Sequence, residues 1–202
     1  NPKRIHQIRY TLLRELTYAG ACVFHEEAMF PVQDAGIVTN IRNTNNPSDT
    51  GTFIVPYHDT SPDAFDLITG IASRKNFTVV TLCKRLMNQE VGFVRKLLSV
   101  LETYGISFEH MPSGIDTISL IIDSRQLEGK FDAVISCIKR DCTPDSVDVF
   151  GDIALIAVVG QGMAYTPGIA AKICLALAKK SINIRMILSL IHISEPTRPR
   201  LI

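Results

Sequence analysis

The chain has 202 residues, 46% of them hydrophobic and 20% charged, with a net charge of +1. That length suffices for one large or two small domains with buried cores, and the near-neutral charge gives no electrostatic basis for binding nucleic acid or an anionic membrane surface. The longest wholly apolar run, Ile153 to Val159, is too short to span a bilayer. The five cysteines, Cys22, Cys83, Cys137, Cys142 and Cys174, have neither paired nor metal-type spacing, which predicts reduced thiols in packed positions.

In chain order, Leu12, Leu13 and Leu16 make one helical stripe, and Ala28, Met29, Val32 and Ala35 make a second that stops at Gly36. Val38 to Ile41 reads as a short strand, RNTNNPSDTG as a turn region, and Thr52 to Val55 as another strand. Two helices and two strands do not complete an α/β domain, so residues 1–55 read as the tail of something larger, and Asn1 as an internal start. Pro56 to Asp66, with its prolines and aspartates, suits an interdomain linker.

Ile68 to Ala72 and Thr78 to Cys83 are predicted as two strands. The helix from Gly92 to Tyr104 is expected to bury Phe93, Val94, Leu97, Leu98 and Leu101 and to wet Arg95, Lys96, Ser99 and Glu102. Strands at Phe108 to Met111 and Thr117 to Ile122 flank the turn residues Pro112, Ser113 and Gly114. The next helix is expected to bury Phe131, Val134, Ile135 and Ile138. Val147 to Val149 and Ile153 to Val159 are predicted as strands on either side of Gly151-Asp152. Within residues 78–150 this β-α-β-β-α-β order is the ferredoxin-like arrangement. Further on, Thr166 suits an N-cap with Pro167 at the first helical position. Ile169, Ile173, Cys174 and Leu177 follow as a buried face, and Ile182 to Ile187 as a strand.

One strand–turn–helix–strand unit occurs twice. Leu86 to Met111 (LMNQEVGFVRKLLSVLETYGISFEHM) aligns without a gap on Gly162 to Ile187 (GMAYTPGIAAKICLALAKKSINIRMI), placing Met87 on Met163, Gly92 on Gly168, Lys96 on Lys172 and Ile106 on Ile182. Paired copies of a small unit point to a shared regulatory surface before they point to catalysis. Gly160-Gln161-Gly162 superficially suggests a dinucleotide loop, but the third glycine is misplaced and no acidic residue follows at the required distance. His25 and His110 stand alone and read as structural. Residues 188–202, beginning LSLIHISEPTR, read as the translation of a sequencing adapter and are set aside from functional reasoning.

Three stretches resemble aspartate kinase. RELTYAGACVFHEEAMFPVQDAGIVTNIRNTNNPSDTGTFIV is similar to the end of the family's amino-acid-kinase domain. MNQEVGFVRKLLSVLETYGISFEHMPSGIDTISLII is similar to its first ACT domain, and DIALIAVVGQGMAYTPGIAAKICLALAKKSINIRMI to the start of its second. The resemblance implies an α/β (α+β) fold. Residues 1–55 would close the kinase domain and 56–67 would be the linker. Residues 68–77 would be the first strand of the second ACT domain, 78–150 the first ACT domain, and 151–187 a truncated second one. It implies a cytoplasmic parent enzyme that transfers the ATP γ-phosphoryl group to the aspartate carboxylate with Mg2+. The family's nucleotide and aspartate loops have no match here, so no catalytic residue and no cofactor are assigned to this chain by itself. Where the family often has Lys after Ala-Gly-Ala, this chain has Cys22.

The resemblance also implies an amino-acid effector, lysine in preference to threonine, bound where the ACT domains of a homodimer pair. A free amino acid needs backbone N–H groups for its carboxylate, which a turn entering a helix supplies. Met87, Asn88, Gly92, Phe93 and Val94 match that turn. Phe108 and Glu109 match the facing strand, with Glu109 as the acceptor for a cationic side chain. Ser113, Gly114, Ile115 and Asp116 match the turn beside the effector. The competing reading is a non-catalytic ACT-domain protein that senses amino acids.

Overall fold

The computed structural model describes residues 4–21, 25–56, 67–160, 162–163 and 166–188. They divide into two compact units, one drawn from 1–73 and 156–202, the other from 74–155. The proposed linker therefore lies largely outside the described residues, as do Cys22 and all but the first residue of the adapter-like tail.

In the first unit, β1 (Gln7–Arg9) pairs parallel with β3 (Thr52–Val55), and β2 (Thr39–Ile41) pairs antiparallel on the other side of β3. The short run QIR carries too little periodicity to announce β1 in the sequence. α1 (Tyr10–Tyr18) buries Tyr10, Leu12, Leu13 and Leu16, the expected stripe, and α2 (Glu26–Asp34) buries Met29. The Tyr10 hydroxyl donates to the Ile37 carbonyl at 2.8 Å, which ties the start of α1 to the chain entering β2. In the turn between β2 and β3, Asn43 and Asp49 accept from backbone N–H groups two residues on, as such residues do in place of a regular ladder.

In the second unit, the sheet order is β5-β4-β6, with β4 (Gly70–Cys83) antiparallel to β5 (Thr117–Asp123) from Phe77↔Asp123 to Cys83↔Thr117. α3 (Phe93–Thr103) and α4 (Phe131–Cys142) pack together on one face. Alternate strand residues, Val80 and Leu82 with Ile118, Leu120 and Ile122, meet Leu97, Leu101 and Ile138 of the helices in one core. Residues 107–113 hold the remaining sheet edge through isolated antiparallel bridges, His110↔Ile121 and Ser113↔Ile118. This is the ferredoxin-like arrangement, with its fourth strand reduced to bridges.

Several expectations need correction. The strands expected at 68–72 and 78–83 are one continuous β4, with Asn76 at φ 72° marking the joint. Those at 147–149 and 153–159 likewise run together as β6 (Ser146–Val159), where Asp152 takes φ 53° without breaking the ladder. In both, polar residues that look like a break are carried on a sheet with solvent access. The boundary between the two units falls within β4 and β6. Val94 and Phe131, expected inside, are 37% exposed, and Val100 and Cys142 take core places instead.

The second copy begins later than expected. α5 (Ile169–Ala178) is capped by Gly168, while Thr166 and Pro167 lie in the preceding turn, where the Thr166 hydroxyl donates to the Gly162 carbonyl. Ile169 is buried, whereas Ile173, Cys174 and Leu177 are half-buried. Residues 182–188 form no strand, because that backbone finds no ladder partner among the described residues. Gly160 is explained by packing: a Cβ there would lie 2.3 Å from the Leu67 carbonyl oxygen. Cys83, Cys137, Cys142 and Cys174 are free thiols, as expected.

Candidate effector site

The turn that leaves β4 is built by backbone geometry and two carboxylates, Asp116 and Asp145, the latter accepting from the Arg85 N–H at 2.8 Å. Lys84 N–H donates to the Asp116 carbonyl at 2.8 Å, and Leu86 N–H donates to Asp116 Oδ1 at 2.9 Å. Asp116 thus holds both ends of the approach to a 3₁₀ turn at Met87–Gln89. Met87 N–H bonds the Lys84 carbonyl, and Glu90 N–H bonds the Met87 carbonyl. The chain then enters α3 through Gly92 at φ 83°, ψ 7°, a left-handed conformation that favours glycine. The N-terminus of α3 brings its first-turn amides and the positive end of its dipole to this place.

A charged cluster fixes the turn to the helices. Glu90 bridges Lys84 at 2.5 Å and Lys96 at 2.7 Å. Lys84 Nζ also donates to the Cys142 carbonyl at 2.9 Å and to the Thr143 hydroxyl at 3.2 Å, and lies 5.1 Å from the Phe93 ring centroid. One ammonium therefore joins the end of β4, the turn and the C-terminus of α4. Hydrogen bonds from Lys84 and then Lys96 hold the Glu90 carboxyl below its ordinary range. The sequence gives no local sign of this cluster, since its members are spaced irregularly.

The structure gathers most of the predicted site residues and separates two. Met87, Asn88, Gly92, Phe93 and Val94 lie on the turn and helix start, with Asp116 bonded to that turn and Ser113, Gly114 and Ile115 leading into it. Met87 and Phe93 are core side chains, and their N–H groups already donate to the Lys84 and Glu90 carbonyls, at 3.2 and 3.3 Å. Asn88, Ser113, Gly114 and Ile115 are exposed. Phe108 and Glu109 lie elsewhere along the sheet. Glu109 N–H donates to the Ile121 carbonyl, four residues beyond Thr117 and so about 13 Å along β5 from the turn.

Nor is the Glu109 carboxylate an open acceptor. Arg74 Nη1 donates to it at 3.0 Å, and Arg74 Nη2 lies 3.5 Å from Asp123. Asp123 in turn takes Arg125 by two side-chain bonds, at 2.9 and 2.5 Å. Arg74, Asp123 and Arg125 are residues that sequence reasoning missed, because the pairing follows from strand register and not from spacing.

Comparisons with known proteins place this geometry in a class. A family model described as "ACT domain" matches residues 156–194, within the second copy of the repeat and the residues that flank it. Aspartokinase 3 of Bacillus subtilis (strain 168) is 42% identical over 188 residues, which is 93% of this chain and 41% of that protein. The crystal structure of Clostridium acetobutylicum aspartate kinase superposes with a TM-score of 0.88 at 56% identity, covering 94% of this chain and 43% of that one. The chain belongs to the aspartokinase family, and it spans about two fifths of the length of these relatives. Escherichia coli aspartokinase III, solved with aspartate and ADP, shares the fold at a TM-score of 0.72 and 23% identity over 93% of this chain and 41% of that one. The same enzyme solved with lysine and aspartate gives 0.66 and 24%, over 93% and 40%. No helix among the described residues is long and apolar enough to cross a membrane.

Proposed function

We propose that the chain is the regulatory part of a cytoplasmic aspartate kinase. Identity of 42% across 93% of its length to a protein named as an aspartokinase carries the reading. In the whole enzyme an aspartate side-chain carboxylate oxygen attacks the γ-phosphorus of ATP, the bond to the β-phosphate oxygen breaks, and ADP leaves. Mg2+, where bound, and positioned cations would stabilise the charge that develops on the transferring group. That machinery is assigned to parts of the enzyme beyond these residues; residues 4–55 contribute the closing elements of the kinase domain. The competing reading, a sensor without kinase activity, has no use for the unit built from α1, α2 and the β1-β3-β2 sheet.

The role assigned to this chain is effector binding. The first-turn amides of α3 would take the carboxylate of a free amino acid at a site of positive potential. Glu109 would take the cationic side chain of lysine, reaching the turn of a second copy in a homodimer, since within one chain it lies too far along the sheet. Effector binding would then bias the kinase between active and inactive arrangements, a coupling between two sites. The test is calorimetric titration of the chain with lysine and threonine. Saturable lysine binding that weakens in Glu109→Ala supports the assignment, and unchanged lysine affinity in that variant overturns it.

A further inference from the structure

We propose that Arg74 is a built-in competitor for the cationic end of the effector, so that lysine affinity is set by Arg74 as well as by Glu109. The proposal rests on the effector reading above and concerns the same carboxylate. Arg74 lies on β4 and is held on three sides. Its guanidinium donates to Glu109 at 3.0 Å, approaches Asp123 at 3.5 Å, and lies 5.1 Å from the ring centroid of Phe77, which is fully buried. The Glu109 and Asp123 side chains are only 13% and 8% exposed. Arg125, Asp123, Arg74 and Glu109 thus form an alternating line of two cations and two anions at the sheet edge.

An ammonium group arriving at Glu109 meets a carboxylate that is already neutralised. The incoming ammonium must displace Arg74 or share the carboxylate with it, as Lys84 and Lys96 share Glu90. In a partly desolvated place the repulsion between the two cations weakens what a shared carboxylate gives the newcomer. Asp123 gives Arg74 somewhere to go, because its carboxylate already lies near the second guanidinium nitrogen. Arg74 can therefore release Glu109 without being left unpaired, which would otherwise be the main penalty of the exchange. Only an effector with a cationic side chain has to compete. Threonine presents a neutral side chain and does not, so Arg74 tunes discrimination between the two and not affinity in general.

Two substitutions predict opposite signs. Arg74→Gln removes the competitor and should tighten lysine binding about fivefold or more, with threonine affinity unchanged. Asp123→Asn removes the alternative partner, concentrates Arg74 on Glu109 and should loosen lysine binding. Titrations of the full chain and both variants by calorimetry, with circular dichroism to confirm folding, decide the matter. A purely structural Arg74 would weaken lysine binding when replaced; equal or weaker lysine affinity in Arg74→Gln overturns the proposal while leaving the effector reading intact. Lysine binding to neither the wild-type chain nor Arg74→Gln overturns the effector reading itself. If Arg74→Gln does not fold, Asp123→Asn decides alone: looser lysine binding supports the proposal, and unchanged or tighter binding overturns it.

Discussion

Gly92 and Gly168 hold the same backbone conformation, φ 83° and ψ 7° against φ 87° and ψ 1°, each at the residue before a helix. They are equivalent positions of the internal repeat, and the bonds around them correspond as well. Met87 N–H to Lys84 and Glu90 N–H to Met87 match Met163 N–H to Gly160 and Thr166 N–H to Met163. At the far ends of the helices, Ile106 N–H to Leu101 matches Ile182 N–H to Leu177. The repeat is therefore a repeat of backbone hydrogen bonding. The side chains around it have diverged: Lys84 and Glu90, which form the charged cluster in the first copy, stand opposite Gly160 and Thr166 in the second.

Replacing Gly92 by Ala should cost about 1–2 kcal/mol, the penalty for placing a Cβ in the left-handed region. The cost is conformational and not steric, because the nearest atom to an added Cβ is Arg95 Nε at 3.9 Å. Gly92→Asn should cost less, since Asn tolerates this region better. Urea denaturation of the two variants checks the order. Equal stability of Gly92→Ala and the wild-type chain would show that α3 can begin without a left-handed residue.

Leu86 occupies the left-handed region too, at φ 58°, although it is not glycine, and its side chain is 62% exposed. Its counterpart in the second copy is Gly162. The exposed side chain gains little burial to offset the strain, while the N–H is fixed on Asp116. Leu86→Asn should therefore stabilise the second unit by about 1 kcal/mol, a rise in Tm of about 4–8 °C for a domain of this size. A lower Tm would show that the side chain has a partner that its exposure conceals.

Much of this was legible in the sequence where a period was long enough to read. The stripes of Leu12, Leu13 and Leu16, and of Phe93, Leu97 and Leu101, became buried helix faces as expected. Thr52 to Val55 became β3 with the expected bounds. What periodicity could not give was pairing. Ser73 to Asn76 and Gly151-Asp152 look like breaks until a neighbouring strand is known to carry them. Phe108 to Met111 alternates like a strand but meets β5 only through bridges. The ion pair between Arg74 and Glu109 joins residues 35 positions apart and depends on register across the sheet. No local spacing could have announced that Glu109 comes with its own cation.

Glu90 holds both Lys84 and Lys96, so its charge fastens the turn at 84–92 to the helices. Glu90→Gln keeps the shape and removes the charge. Amide hydrogen exchange should then accelerate for the N–H groups of Met87 and Glu90, whose bonds lie within the turn. The β5 amides, which depend on the ladder with β4, should keep their protection. Unchanged exchange at the turn would mean that Asp116 and the backbone hold it without the lysines.

Asp123 should make the second unit sensitive to acid in a defined window. Arg125 donates to its carboxylate from the side chain and from the backbone and, with the charge of Arg74, holds it down to about 2, against the opposing effect of burial. The folded value lies below the ordinary value of 3.8. The contribution of Asp123 is therefore fully present above about pH 4 and is lost as pH falls toward 2, where the unfolded chain binds the extra proton first. Urea midpoints measured from pH 5 to pH 2 should fall more steeply for the wild-type chain than for Asp123→Asn. The difference should amount to uptake of up to about one proton on unfolding within that window. The variant should also be the less stable of the two at neutral pH, because Arg74 and Arg125 lose the charge they share. Parallel curves for the two proteins would show that the arginines are held as well without that carboxylate, and that acid acts on this unit elsewhere.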